Sequence, residues 1–114
     1  MNLIGVSLRL TDNKLEIEVS RLPIIKETDK VLKLNNNSEL VSDCLANIPK
    51  DKIGVVQKGR FSDSVGNFER RLWDTDDSPE NERKMIEHLK ICARNEMERR
   101  RNTFDKMLDH LNRV

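Results

Sequence analysis

Three consecutive arginines, Arg99, Arg100 and Arg101, stand in the segment "NEMERRRNTFDKMLDHL", residues 95–111. Guanidinium groups bind phosphates and carboxylates through paired hydrogen bonds, and an aromatic ring such as that of Phe104 can stack on a base. These residue types are therefore suited to holding an anionic ligand without turnover. The same arginines could instead only keep a charged helix in solution, and their directions on the helix bear on the choice.

Helical spacing places the three arginines differently. At 100° per residue an apolar stripe about 100° wide runs along the segment. Arg99 points away from this stripe, whereas Arg100 falls inside it, one turn before Phe104. The basic side chains at its edge are Lys90, Arg94 and Arg101. The stripe itself consists of Ile86, Leu89, Ala93, Met97, Phe104, Met107, Leu108 and Leu111.

An arginine inside an apolar stripe needs an oxygen partner, because burying an unpaired charge is unfavourable. One interpretation of Arg100 is a salt-bridged or snorkelling side chain at a subunit contact. The other is an anion site at a helix–helix junction, with Phe104 as the stacking face. If two copies of the helix pair, two Arg100 side chains converge and require an anion between them. The candidate ligand-binding set is Arg100, Phe104, Arg101, Arg94, Lys90 and Trp73.

Further candidates lie before the helix. Trp73 is expected to pack on the start of the helix, with ligand stacking as the alternative. Arg70 and Arg71 precede it on opposite strand faces, so at most one of them can join a given site. The loop "KGRFSDSVGN" carries Lys58 and Arg60, and either it is a plain solvated loop or these side chains contact an anion.

The sequence predicts no catalytic residue, metal site or cofactor. "WDTDDSPE" crowds four acidic residues, but it lacks the glycine and distal glutamate of an EF-hand loop, and helix capping explains it better. His88 and His110 are far apart, and no basic residue is placed beside Cys92. Nucleophile-elbow, P-loop and dinucleotide-glycine motifs are missing, so we do not expect an enzyme.

Composition favours one domain that associates with another chain. The 114 residues are 36% charged and 36% hydrophobic, with three Phe, one Trp and no Tyr. Such a thin aromatic supply favours burial of further apolar surface against a second copy or a partner. A net charge of +1 argues against a general nucleic-acid binder, and Glu96 and Glu98 would repel the phosphates that the neighbouring arginines attract.

Sequence features also predict a cytoplasmic location. The segment "MNLIGVSLRLTDNK" lacks the basic and long apolar regions of a signal peptide, and no stretch approaches the ~20 apolar residues of a membrane span. Cys44 and Cys92 are the only cysteines and form no CxxC motif, so we expect reduced thiols.

Period-two alternation over residues 3–22 predicts a β-hairpin around "TDNK", with a sheet covered on one side only. A further hairpin follows around "KETDK", then a short helix in "SELVSDCLANI" capped by Ser38. "DKIGVVQ" and "FERRLW" read as strands. The fold class is therefore α+β: a small antiparallel sheet of four to six strands within residues 1–73, followed by a helix over residues 78–112, in one domain spanning residues 1–114.

The C-terminal helix has a clear start and no clear stop. Ser78 suits the N-cap, Pro79 suits the first helical position, and acidic residues surround both. With no later Gly or Pro, the helix can run to about Asn112, roughly 50 Å at 1.5 Å per residue. That exceeds the width of a domain of this size. Either the helix bends near "RNEMERRRN" or it projects and packs against another subunit, which we favour.

A hairpin-built sheet followed by a charged C-terminal helix, without a catalytic motif, resembles small phage-encoded accessory proteins. The order of elements is similar to that of the Thoeris anti-defence sponges across the whole chain, and "IIKETDKVLKL" and "IPKDKIGVV" also resemble phage small-protein sequence. The resemblance implies an oligomer that sequesters a cyclic nucleotide-type signal with Arg and aromatic side chains at subunit junctions. It matches no motif residue by residue, so it implies no particular binding residues here.

Three functional hypotheses follow from these observations. The first is a non-enzymatic, phage-type anti-defence protein, a homo-oligomer that sequesters an anionic nucleotide-like signal at a subunit junction. The second is an inhibitor that docks a host enzyme or defence protein through the helical face or a sheet edge. The third, local nucleic-acid binding by the C-terminal helix, is weakened by the interleaved acids. None of the three involves a membrane.

Overall fold

The computed structural model describes residues 1–34, 47–59 and 65–113. It has the α+β fold that the sequence predicts, a curled antiparallel sheet of six strands in the order β4-β3-β2-β1-β6-β5 followed by one helix. A 3₁₀ turn at Lys50–Lys52 separates β4 from β5. The elements are β1 (Asn2–Thr11), β2 (Leu15–Glu27), β3 (Val31–Leu34), β4 (Asn47–Pro49), β5 (Gln57–Lys58), β6 (Asn67–Asp74) and α1 (Pro79–Asn112).

The predicted first hairpin is confirmed as β1 and β2. Its register pairs Val6 with Val19 and Leu8 with Ile17, so the apolar residues of both strands share one face. The turn closes where the amide of Thr11 donates to the carbonyl of Lys14 at 2.9 Å. On the other side of β1, strand β6 pairs along its whole length and makes β1 the central strand.

Helix α1 packs on the apolar face of strands β1 and β6. Leu89 is fully buried there, and the cluster joins strand and helix side chains in one core. Its buried members are Ile4, Val6, Leu8, Phe68, Leu72, Met85, Leu89 and Ala93. The predicted helical stripe thus forms the main core along its first half, with Met85 as an additional member.

The opposite face of the sheet is also covered at the end that holds Leu3 and Leu22, so the predicted one-sided sheet is wrong at that end. A second core cluster there contains Leu3, Leu22, Leu32, Leu34, Ile48 and Trp73. Strands β3 and β4 supply half of this cluster because the sheet curls, bringing its edge over residues of β1 and β6. Trp73 accordingly lies away from the helix, and the prediction that it packs on the helix start is also wrong.

The segment 51–57 is a turn over most of its length rather than the predicted strand. Residues 50–52 form the 3₁₀ turn, and only Gln57 of the segment pairs, opposite Arg71. Gly54 has φ +76°, a conformation that breaks a strand and favours glycine. The predicted helix in "SELVSDCLANI" and its cap Ser38 fall almost wholly within residues 35–46, outside the described residues.

The start of α1 follows the predicted capping pattern. The Ser78 hydroxyl accepts a 3.2 Å hydrogen bond from the amide of Asn81, and Pro79 occupies the first turn. The Asp76 carboxylate accepts from the amide of Ser78, and hydrogen bonding to the backbone and side chain of Ser78 lowers the pKa of Asp76. Arg21 ties the first turn to β2 through a 2.9 Å ion pair with Glu82. The acidic turn is thus a helix cap, as expected.

The helix continues without a break to Asn112, so the predicted bend is absent, while packing against another subunit stays a prediction. Its residues after Arg100 are all exposed as far as residue 113. The molecule measures 62 × 28 × 27 Å, because the last three turns extend beyond the sheet. We call residues 101–113 the projecting segment.

The second core predicts a sharp steric constraint at Gly5. A Cβ atom at this position would overlap the Trp73 ring, which lies directly across the strand pair. Gly5→Ala should therefore lower the free energy of unfolding by about 1–3 kcal/mol, measured by urea denaturation. Ser7→Ala, on the same face two residues along, is the control and should change it by less than about 0.5 kcal/mol. Equal stability of Gly5→Ala and the parent chain would contradict this packing.

Candidate functional site

The three arginines stand where α1 leaves the sheet. Arg100 is the most enclosed, with 18% of its side chain exposed. Its Nε donates to the Glu96 carboxylate at 3.1 Å, and its Nη1 donates to the backbone carbonyl of Asn67 at 2.9 Å. These two oxygens offset the desolvation of the guanidinium. Arg100 therefore joins the helix to the first residue of β6 through a salt bridge within one chain, whereas the sequence-based interpretation placed this salt bridge at a subunit contact.

Glu96 is the hub of this arrangement. Both of its carboxylate oxygens accept hydrogen bonds from Arg99, at 3.0 and 2.5 Å, and one also accepts from Arg100. The hydrogen bonds from Arg99 and then Arg100 lower the pKa of Glu96 to about 2, against the opposing effect of burial. Glu96 consequently stays anionic at any physiological pH and neutralises part of the arginine charge.

The arginines and Phe104 line one open cavity of about 530 Å³, within the size range of small-molecule sites. We call it the arginine cavity. Its walls come from α1 and from the turn at Val65 and Gly66, and Asp105 is its one acidic lining residue among those described. The lining residues are Val65, Gly66, Met97, Arg99, Arg100, Arg101, Thr103, Phe104 and Asp105. The cavity is thus basic with one aromatic face.

Arg101 differs from its two neighbours. Its side chain is exposed and makes no hydrogen bond or ion pair with the part of the chain that the structure describes. Phe104 is 48% exposed, three residues further along the same helix. The Arg101 guanidinium and the Phe104 ring therefore line the solvent-exposed part of the arginine cavity, and Arg100 lines its more buried part.

Lys90 and Arg94 belong to a different surface. They line a second depression of about 440 Å³ between α1 and the β1–β2 hairpin, which we call the hairpin groove. Its floor and walls are mainly apolar, and Met97 is shared with the arginine cavity. The residues lining the hairpin groove are Leu8, Leu10, Leu15, Lys90, Ala93, Arg94, Met97 and Glu98.

Trp73 is separated from both depressions. It is 9% exposed and sits in the core on the opposite sheet face, so the structure does not bring it to the arginines. Arg70 and Arg71 do lie on opposite faces, as predicted: Arg70 stacks over the Phe68 ring at 4.2 Å, and Arg71 pairs with Glu69 at 3.3 Å. Of the six predicted site residues, three line the arginine cavity and two line the hairpin groove.

Sequence reasoning missed the oxygens that hold Arg100. Glu96 stands four residues before it, which is the spacing of a helical ion pair, so this partner had a readable signal. The carbonyl of Asn67 had none, because it comes from a residue 33 positions away. Lys58 is exposed at the short strand β5, while Arg60 lies outside the described residues.

A metal site would be another kind of site chemistry for residues 1–34, 47–59 and 65–113. No group of three or more His, Cys, Asp or Glu side chains there is placed to hold a metal ion. Cys92 is a half-buried free thiol packed against the main core. Although α1 has 34 residues, no helix in these ranges combines the length and apolarity that crossing a membrane requires.

Comparisons with known proteins add no relative: no family model matches the chain, and no curated protein or solved structure matches it either. The site is accordingly interpreted from its own geometry.

The Glu96 hub predicts a pH-dependent contribution to stability. Because the pKa falls from 4.5 to about 2 on folding, the contribution is complete above pH 4.5 and is lost as the pH falls towards 2. Glu96→Gln should lower the free energy of unfolding by about 1 kcal/mol at pH 7, and the two proteins should converge near pH 2.

Urea unfolding at a series of pH values measures this difference directly. Glu80→Gln is the matched control, because Glu80 makes an exposed 3.6 Å pair with Lys84 one helix turn away. That control should change stability little at any pH. A Glu96→Gln deficit that stays constant down to pH 2 would contradict the arginine-held carboxylate.

Proposed function

We propose that the protein is a non-enzymatic binding protein that holds an anionic, nucleotide-like ligand in the arginine cavity. The observation that carries this proposal is the convergence of Arg99, Arg100, Arg101 and Phe104 on one open cavity. Among the described residues, three guanidiniums line the cavity with Asp105, and Glu96 already pairs with Arg99 and Arg100, so the lining keeps a small positive excess that favours an anion. A cavity of this volume accepts a mono- or dinucleotide-sized molecule.

Binding would use the three arginines unequally. Arg101 supplies the guanidinium that reaches a phosphate, since its side chain is exposed and makes no protein contact among the described residues. Arg100 supplies positive charge from a fixed position, held by Glu96 and Asn67. Phe104 offers a half-exposed ring on which a base stacks. The result is affinity without chemical turnover.

The proposal extends to the biological role that the order of elements resembles. A hairpin-built sheet with a projecting charged helix is similar in architecture to phage anti-defence sponges, which act by sequestering a nucleotide signal. On this proposal the protein works as a homo-oligomer in the cytoplasm of a host cell, and a cyclic nucleotide or cyclic ADP-ribose-type signal is the ligand class. Subunit contact near the arginines would enclose the ligand further.

A second candidate function is inhibition of a host protein. The projecting segment presents an apolar stripe that includes Leu111, which is 71% exposed, and amphipathic helices commonly dock apolar grooves. Under this alternative the arginines guide a protein contact and nucleotides have no effect. The two candidates therefore give opposite results with small anionic ligands.

The proposed function predicts thermal stabilisation by a nucleotide. The purified chain should be screened against cyclic mono-, di- and trinucleotides, cyclic ADP-ribose isomers and a DNA duplex. A ligand present at about 100 times its Kd stabilises by about 2.7 kcal/mol, which corresponds to a rise of several degrees in Tm. A screen in which no small anion raises the Tm contradicts the proposal and favours the protein-inhibitor alternative.

Matched arginine variants locate the site. Arg101→Gln should weaken binding about 10-fold or more in calorimetry, because it removes a charge-assisted hydrogen bond to phosphate. Arg83→Gln removes the same charge from an exposed position earlier on α1 that lines neither depression, and it should leave the affinity unchanged. Equal weakening by both variants would show a diffuse electrostatic effect rather than a site.

A further inference from the structure

The projecting segment is a helix that the described part of its own chain leaves exposed. All of its residues are exposed, and none forms an ion pair with the other described residues. Its apolar side chains, Phe104, Met107, Leu108 and Leu111, are 48–71% exposed. Helices of about 13 residues are marginal in water when nothing packs on their apolar face. This face is therefore one that a second molecule would cover.

The hairpin groove is a matching concave surface on the same molecule. Leu8, Leu10 and Met97 form apolar parts of its lining, and Leu15 on the hairpin is half exposed at its side. Lys90 and Arg94 supply positive charge, and Glu98 is its single described acid. The groove thus combines apolar lining with a basic rim.

The helix residues of the hairpin groove and the apolar stripe of the projecting segment lie along one line on α1. Starting in the groove, positions alternate in steps of four and three residues: Lys90, Arg94, Met97, Arg101, Phe104 and Leu108. This alternation is the spacing at which two helices pack along a common seam. The first part of the seam borders the hairpin groove and the last part is the exposed stripe.

We propose that two copies of the chain pair antiparallel along this seam, each projecting segment lying in the hairpin groove of the other copy. The contact is two-fold symmetric and closed, because the same stripe and groove are used twice. In the register that fills the groove, Phe104 packs on Arg94 of the partner subunit and Leu108 packs on Lys90 of the partner subunit. The proposal goes beyond the ligand-binding function and needs no ligand, but Arg101 and Phe104 belong to both, so a ligand in the arginine cavity would lie at this subunit contact.

Charge selects the antiparallel direction. A parallel pair would set Lys90 against Lys90 and Arg94 against Arg94, which places like charges together. The antiparallel register instead brings Asp105 beside Arg94 of the partner subunit and Glu98 beside Arg101 of the partner subunit. The aliphatic stems of Lys90 and Arg94 can cover the stripe while their charged ends reach these acids.

The area that the contact buries also favours packing of the projecting segment in the hairpin groove over packing of the two projecting segments on each other. Four stripe side chains, each about half exposed, offer on the order of 100 Å² apiece, so the stripe alone contributes roughly 400 Å² per copy. A specific interface buries about 800 Å² per partner. The stripe alone falls short of that size, so the contact must also use the hairpin groove together with its charged rim, which pairing of the two projecting segments alone would leave out.

The first test measures molar mass for the full chain across a concentration series by light scattering after size exclusion. The expected result is a dimer of twice the 13.3 kDa chain mass. Leu108→Lys sets a positive charge against Lys90 of the partner subunit and should shift the mass to that of a monomer, while Asn102→Lys, which adds the same charge at an exposed position off the stripe, should remain dimeric. Circular dichroism of both variants checks that each stays folded.

The second test measures orientation by disulfide formation in a background where Cys44 and Cys92 are replaced by alanine. The double variant Lys90→Cys/Leu108→Cys should form a covalent dimer on oxidation. The two positions are about 27 Å apart on one straight helix, so they cannot bond within a chain. Each single variant should stay uncrosslinked, because the antiparallel register does not bring either position next to the same position of the partner subunit.

Three results would overturn the inference: a monomer at every concentration, a dimer that survives Leu108→Lys, or crosslinking by Leu108→Cys alone. A monomer would leave the apolar stripe to a different protein partner. The ligand screen stands apart from these tests, since a monomer can still show the nucleotide shift and a dimer can lack it. Failure of the dimer and failure of the ligand proposal are therefore distinguishable.

Discussion

Packing of the first half of α1 on β1 and β6 is the contact on which the rest of the molecule depends. Leu89 is completely buried at its centre, with Met85 and Ala93 one turn to either side. Because no Gly or Pro follows Pro79, the helix continues after the sheet ends. The arginines stand at that boundary, and the hydrogen bond from Arg100 to the Asn67 carbonyl links the helix to the first residue of β6.

This position explains why neighbouring arginines have different roles. Glu96 holds Arg99 and Arg100 by hydrogen bonds, and Asn67 fixes Arg100 further. Arg101 is turned away from Glu96 and remains exposed beside Phe104. A helix that had ended at Arg100 would keep the structural pairs and lose the arginine cavity. Extension of the helix is therefore what turns a surface charge cluster into a binding surface.

Features encoded by local spacing could be predicted from the sequence, whereas those set by distant residues could not. The cap at Ser78, the first hairpin and the α+β fold follow from short-range patterns. The predicted contact of Trp73 with the helix rests only on its closeness to the helix in sequence. Strand alternation instead turns the Trp73 side chain to the other sheet face, over Gly5. "DKIGVVQ" looked like a strand through its β-branched residues, but Gly54 at positive φ turns the chain there.

The most direct test of this account is amide hydrogen exchange along α1 as a function of protein concentration. The account predicts slow exchange in residues 83–100 at all concentrations, because that half packs on the sheet. Residues 105–112 should be protected in concentrated protein and should exchange much faster after dilution, because contact between molecules stabilises them. If exchange in residues 105–112 is independent of protein concentration, whether slow or fast, that result would contradict the claim that another molecule covers and stabilises the projecting segment.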